Sequence, residues 1–282
     1  MRYASYVSSD GNKTWGVERD GVLHDLGPSG KNLADSLKAA IVAGLFAADN
    51  ADLEGAPLTN VEGAEFLPPI VNPGKILCIG VNYRSHRDEV GKPDPSAPTV
   101  FTRFADSQMG HNRPAVRPAV SDAFDYEGEL ALVIGRDAYQ VAEEDSWGVI
   151  AGYGAYNDFS VRDWQKASTQ WTAGKNFPDT GAFGPYLVPV SDIDDINALK
   201  LETRVNGEVR QSATVADLIF NIPQIIAFVS AFTPLQAGDI IVTGTPGGVG
   251  QFMEPKGLLS HGDVVEVEIT GLGVLSNPVM QG

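Results

Sequence analysis

Eleven consecutive residues constrain this chain more than any others: Asp125-Tyr126-Glu127-Gly128-Glu129-Leu130-Ala131-Leu132-Val133-Ile134-Gly135. The apolar run ending at a glycine has the length and composition of a buried strand. Side chains alternate faces along a strand, so Glu127 and Glu129 point the same way. An isolated Glu-x-Glu is ordinarily a solvated strand end. Continued into a buried run, two carboxylates on one face repel, and one of them must hold its proton or meet a cation. A divalent metal satisfies both. Gly128 removes a side chain where a ligand or another backbone comes close.

The rest of the chain supplies partners for such a site. Lys75 to Val81 reads as a strand, and Asn82-Tyr83-Arg84-Ser85-His86-Arg87-Asp88-Glu89 follows it. On a helix His86 and Glu89 share a face, and a carboxylate beside an imidazole orients it as a general base. A small-residue, aromatic strand ends at Asn157-Asp158, making Asp158 a candidate third oxygen ligand; Arg162 and Gln165 then recur at helical spacing. Gly152-Tyr153-Gly154-Ala155-Tyr156-Asn157 lacks the third glycine of a dinucleotide loop. In the Gly/Pro-rich loop from Thr172 to Pro185, Lys175 is a point cation suited to a carboxylate. Asp239 to Gly250 reads as a strand entering a glycine-rich turn. It carries no Gly-Lys-Ser/Thr phosphate loop, but its N–H groups and Thr245 suit a carboxylate.

The remaining segments read as further strands and two helices. Asp10-Gly11-Asn12 and Asp20-Gly21 mark turns in a small N-terminal sheet, and Asn206-Gly207 marks a hairpin. Leu33, Leu37, Ile41 and Leu45 recur at helical spacing, and an apolar helix is expected around Pro223 to Phe232. Three prolines between Leu67 and Gly74 place a domain boundary, with a small domain over 1–70 and a larger one over 71–282. The loop from Gly91 to Ser121 and the N-terminal domain are expected to shape the pocket. The class is α+β, predominantly β.

With 36 acidic and 20 basic side chains the formal charge is −16, which argues against a nucleic-acid or anionic-membrane surface. The sole cysteine, Cys78, lies in an apolar run and reads as a small core residue. No membrane-length run and no signal-peptide core occur, so a cytoplasmic, soluble protein is expected. The His-x-x-x-His of zinc hydrolases and the Gly-x-Ser-x-Gly elbow of serine hydrolases are missing.

Over about Lys75 to Pro278 these motifs, in this order, resemble the fumarylacetoacetate hydrolase family. The resemblance implies a rolled mixed β fold with a small N-terminal domain, a homodimer, and Mg²⁺ or Mn²⁺ held by Glu127, Glu129 and Asp158. It implies that His86 and Glu89 form the catalytic dyad on an Asn-Tyr-x-x-His-x-x-Glu pattern. Arg162, Gln165, Lys175 and Thr245 fall on positions that contact substrate carboxylate or oxo groups, with Lys175 counted among the catalytic groups. The chain departs from many relatives in having Pro178 before Asp179, and in having Lys166-Ala167 where some carry a histidine after the glutamine. The activity expected is hydrolysis of a carbon–carbon bond in an acylpyruvate-type (2,4-dioxo) acid: His86 activates water and the metal holds the enolate. The alternatives are decarboxylation of an oxaloacetate-like acid, tautomerisation of a 2-hydroxymuconate-type acid or, least favoured, non-catalytic ligand binding.

Overall fold

The computed structural model describes residues 1–47, 53–91, 93 and 95–282. Lys92 and Asp94, in the loop expected to shape the pocket, lie outside them.

The strand Gly128–Ile134 is central and buried throughout. It pairs antiparallel with Ile150–Asp158 on one side and with Ile240–Val242 on the other. Ile240–Val242 runs parallel to Ile76–Gly80, which pairs antiparallel with Thr99–Arg103. On the far side of Ile150–Asp158 stands Gly181–Pro189, and through the pair Tyr3–Leu187 the N-terminal strands join the same sheet. A second sheet, in the order Glu208–Thr214, Lys200–Val205, Val264–Ile269, Gly273–Gln281, Ala115–Arg117, packs across it. Both sheets mix parallel and antiparallel neighbours, giving the predominantly β architecture expected.

Period-two alternation explains why the central strand is apolar on both faces. Leu130, Leu132 and Ile134 enter a core shared with Leu201, Val265 and Val267 of the second sheet. Ala131 and Val133 enter another, shared with Trp15, Leu37 and Ile41 of the N-terminal segment. Glu127 and Glu129 belong by parity to the Ala131 face, and Gly128 to the face that meets the second sheet.

Two expected elements differ in extent. The N-terminal helix covers only Leu37–Val42, started by a Ser36 side-chain cap; Leu37 and Ile41 are buried while Leu33 and Leu45 are exposed. The segment expected as a loop from Thr172 contains a helical turn, Thr172–Lys175, and runs into the strand Gly181–Pro189. The hairpin at Asn206-Gly207 and the helix Ile222–Phe232 form where the pattern places them. Among the described residues no helix is long and apolar enough to cross a membrane.

Candidate active site

Antiparallel register assembles the carboxylates. Gly128 stands opposite Asn157, which brings Glu127 beside Asp158, and the Asp158 N–H donates to the Glu127 carbonyl at 2.9 Å. Oxygens of Glu127, Glu129 and Asp158 lie within 4.8 Å of one another, and all three residues are buried. Gly128 meets the second sheet: a Cβ there would lie 2.0 Å from Thr203 Oγ1 and 3.3 Å from Val267. The glycine therefore serves sheet-on-sheet packing rather than ligand access.

An alternating chain of charges holds two of the acids. Arg103, inaccessible at its side chain, donates to Asp158, to Thr180 Oγ1 at 2.6 Å and to the Phe159 carbonyl at 3.2 Å. Lys175, 1% exposed, bridges Asp158 Oδ2 at 2.5 Å and Glu127 Oε2 at 2.6 Å. Arg162 donates to Glu127, to Gln165 Oε1 at 3.0 Å and, through Nε, to Asp125 Oδ2 at 2.8 Å. Asp125 then accepts the N–H groups of Gly250 and Gln251 at 2.8 and 2.9 Å, tying the array to the glycine-rich turn. Burial pushes the Glu127 carboxyl up, but Lys175 and Arg162 outweigh it and hold it well below the usual range.

Glu129 is different. Its carboxylate accepts the Gly244 N–H at 2.5 Å and has no cationic side chain bonded to it among the described residues. Burial, with Asp158 and Glu127 alongside, pushes its carboxyl well above the usual range. Four buried acids, Asp125, Glu127, Glu129 and Asp158, thus face three buried cations, Arg103, Arg162 and Lys175. The all-oxygen donor set and this deficit fit a hard divalent cation at Glu127, Glu129 and Asp158. Gly244 is a glycine for a local reason: its φ is +110°, and a Cβ would lie 2.7 Å from Asn82 Cβ.

His86 stands on the short helix Arg84–Val90. Its Nδ1 lies 2.8 Å from Glu89 Oε2, and Glu89 Oε1 accepts the Gly248 N–H at 2.9 Å. With Nδ1–H given to Glu89, Nε2 keeps its lone pair. Asn82 seats the helix by bonding Phe220 and the Thr243 carbonyl, and Tyr83 is fully buried.

One cavity of about 360 Å³ brings the parts together; its walls include His86, Glu127, Glu129, Arg162, Gln165, Lys175 and Thr245. Arg162 Nη2 is buried and has no hydrogen-bond partner among the described residues. Thr245 reaches the wall, but its hydroxyl donates to the Gly128 carbonyl at 2.9 Å and accepts from Gln211 Nε2 at 2.8 Å. Glu89 stands behind His86 rather than on the wall. Nothing in the local sequence marks Arg103 or Gln211 as part of the site. Asp125 alone had a local signal, as a third acid in the same run.

Residues 75–280 match the family described as fumarylacetoacetate (FAA) hydrolase C-terminal. The chain belongs to the fumarylacetoacetate hydrolase family. Among its relatives, the oxaloacetate tautomerase YisK of Bacillus subtilis is 43% identical over 215 residues, 75% of this chain and 71% of that protein. Fumarylacetoacetate hydrolase from Exiguobacterium antarcticum superposes with a TM-score of 0.89 at 35% identity, covering 100% of both chains. Maleylpyruvate hydrolase from Sphingobium sp. SYK-6, solved with manganese(II) and pyruvate, gives a TM-score of 0.83 at 28% identity over 100% of both chains. The family named on the motifs is thus the right one, but the curated relative's name favours the tautomerase alternative over the hydrolase reading.

Proposed function

We propose that the protein is a divalent-metal-dependent keto–enol tautomerase of 2-oxo dicarboxylic acids of the oxaloacetate type. The observation that carries this reading is an imidazole, His86, on the wall of the same cavity as a buried carboxylate cluster with one acid that no cationic side chain contacts among the described residues. The relationship to YisK supports it.

Glu127, Glu129 and Asp158 would hold Mg²⁺ or Mn²⁺; when bound, the ion supplies a Lewis acid that lowers the cost of negative charge on a carbonyl oxygen. Arg162, on the cavity wall, binds the carboxylate next to the reacting carbonyl, and Gln165 fixes that guanidinium through Nη1. His86 Nε2 takes the proton from C3 of the keto acid. The C–H electron pair becomes the C2–C3 double bond, and the carbonyl oxygen gains the proton. Glu89 stabilises the imidazolium formed in between, itself held by the Gly248 N–H.

Carbon–carbon hydrolysis of a 2,4-dioxo acid is the second reading, favoured by the full-length likeness to maleylpyruvate hydrolase. It uses the same dyad to deprotonate water. The test adds Mg²⁺ or Mn²⁺ to metal-stripped protein and follows enol-oxaloacetate loss at the enol absorbance, with acylpyruvate cleavage and carbon dioxide release run alongside. Metal-dependent enol–keto exchange without release of an acid or carbon dioxide is the expected result. Pyruvate plus a second acid from the acylpyruvate would move the assignment to the hydrolase, and carbon dioxide from oxaloacetate to a decarboxylase. His86→Ala should lower the exchange rate by about 10²–10⁴ with metal binding intact. An unchanged rate removes His86 as the base.

A further inference from the structure

The cavity wall carries a third cationic side chain, Lys166, besides Arg162 and Lys175. Lys166 follows the helical turn Arg162–Gln165 directly, so it stands four residues after Arg162 on the same face and also reaches the cavity wall. Its ammonium lies 5.7 Å from the centroid of the Phe252 ring, another wall residue, which packs against His86 at 6.1 Å between centroids. Lys166 makes no ion pair among the described residues, whereas Lys175 and Arg162 are each bound to two acids. Burial and then the positive fields of Arg162 and Lys256 lower its pKa, against the opposing field of Asp125. The wall also includes the polar Ser168 and Thr169 and the apolar Ile79, Val90 and Phe101.

We propose that Lys166 is a specificity-determining residue that binds the carboxylate remote from the reacting carbonyl and so selects 2-oxo diacids over 2-oxo monoacids. This rests on the tautomerase reading above and assigns its second carboxylate. Four residues of helix offset the Cα atoms of Arg162 and Lys166 by about 6 Å along the axis. A four-carbon diacid separates its carboxylate carbons by about 4 Å across three carbon–carbon bonds. Arg162 takes the carboxylate beside the cluster, and the flexible stem of Lys166 delivers a point cation to the other. Phe252 holds the ammonium at the wall until the diacid enters, through cation–π attraction.

Oxaloacetate and pyruvate differ by this one carboxylate and make the test. Calorimetric Kd values for both acids are measured on Mn²⁺-loaded wild type, Lys166→Met and Lys166→Arg, together with KM and kcat for oxaloacetate exchange. The expected result is oxaloacetate binding about fivefold weaker in Lys166→Met, pyruvate binding and kcat unchanged, and affinity restored in Lys166→Arg. Equal affinity for oxaloacetate in wild type and Lys166→Met, or the same loss for both acids, would overturn the proposal. A wild type that binds oxaloacetate without exchanging its enol overturns the tautomerase reading, and the Lys166 assignment is then decided by the Kd values alone.

Discussion

Replacing Lys175 by methionine separates two jobs that the site gives one ammonium. Lys175 sits 2.5 Å from Asp158 Oδ2 and 2.6 Å from Glu127 Oε2, and it is 1% exposed. Burial alone would lower its pKa, yet the two acids raise it, so the side chain is charged and compensates the cluster. Methionine fills a similar volume without charge, leaving four buried acids against two cations. Removing one partner of a buried pair costs about 3–5 kcal/mol. At about 2–4 °C per kcal/mol for a chain of this size class, metal-stripped Lys175→Met should melt about 6–20 °C below wild type. Because the ammonium competes with a divalent ion for the same oxygens, the variant should also bind Mn²⁺ about tenfold more tightly. The metal-induced rise in Tm should then exceed that of wild type by the equivalent of about 1.4 kcal/mol. Thermal denaturation of stripped and Mn²⁺-titrated protein reads both quantities. Equal Tm values for the stripped proteins, or weaker Mn²⁺ binding in the variant, would refute this account of the charges.

Two further outcomes follow from packing and titration. Gly128→Ala places a Cβ 2.0 Å from Thr203 Oγ1, an overlap worth about 1–3 kcal/mol, and Thr203→Ala in the same protein should restore most of the lost Tm. Failure of that rescue would move the cause elsewhere. His111 accepts the Ser276 N–H at Nδ1, and burial lowers its pKa from 6.5 to about 4. Below pH 6.5 the unfolded chain therefore binds the proton that the fold refuses. The contribution of His111 is full above about 6.5 and lost as pH falls toward about 4, a swing of about 3 kcal/mol. Wild type should lose more Tm than His111→Gln between pH 7.5 and 4.5, and parallel losses would contradict it.

Short-range periodicity settled a good part of the site. Parity along one strand puts Glu127 and Glu129 on the same face, and helical spacing puts Glu89 against His86; both follow from backbone geometry, which depends only on neighbouring residues. The turn dipeptide Asn206-Gly207 is legible for the same reason. The stripe from Leu33 to Leu45 overreached because a spacing pattern does not fix where a helix stops. Only Leu37 and Ile41 found a core to enter.

What the sequence could not specify is everything created by long-range pairing. Arg103, in a strand 55 residues before Asp158, is indistinguishable in sequence from a surface arginine, and strand order alone brings its guanidinium to that carboxylate. The packing role of Gly128 is set by Thr203 on another sheet, and the Phe252 ring that Lys166 meets on the cavity wall comes from a segment far along the chain. By itself the sequence determined which groups are candidates for the chemistry, because residue type and local period set charge and face. Only the tertiary structure decided which charges neutralise one another and which remain open, because burial and register are properties of segments brought together.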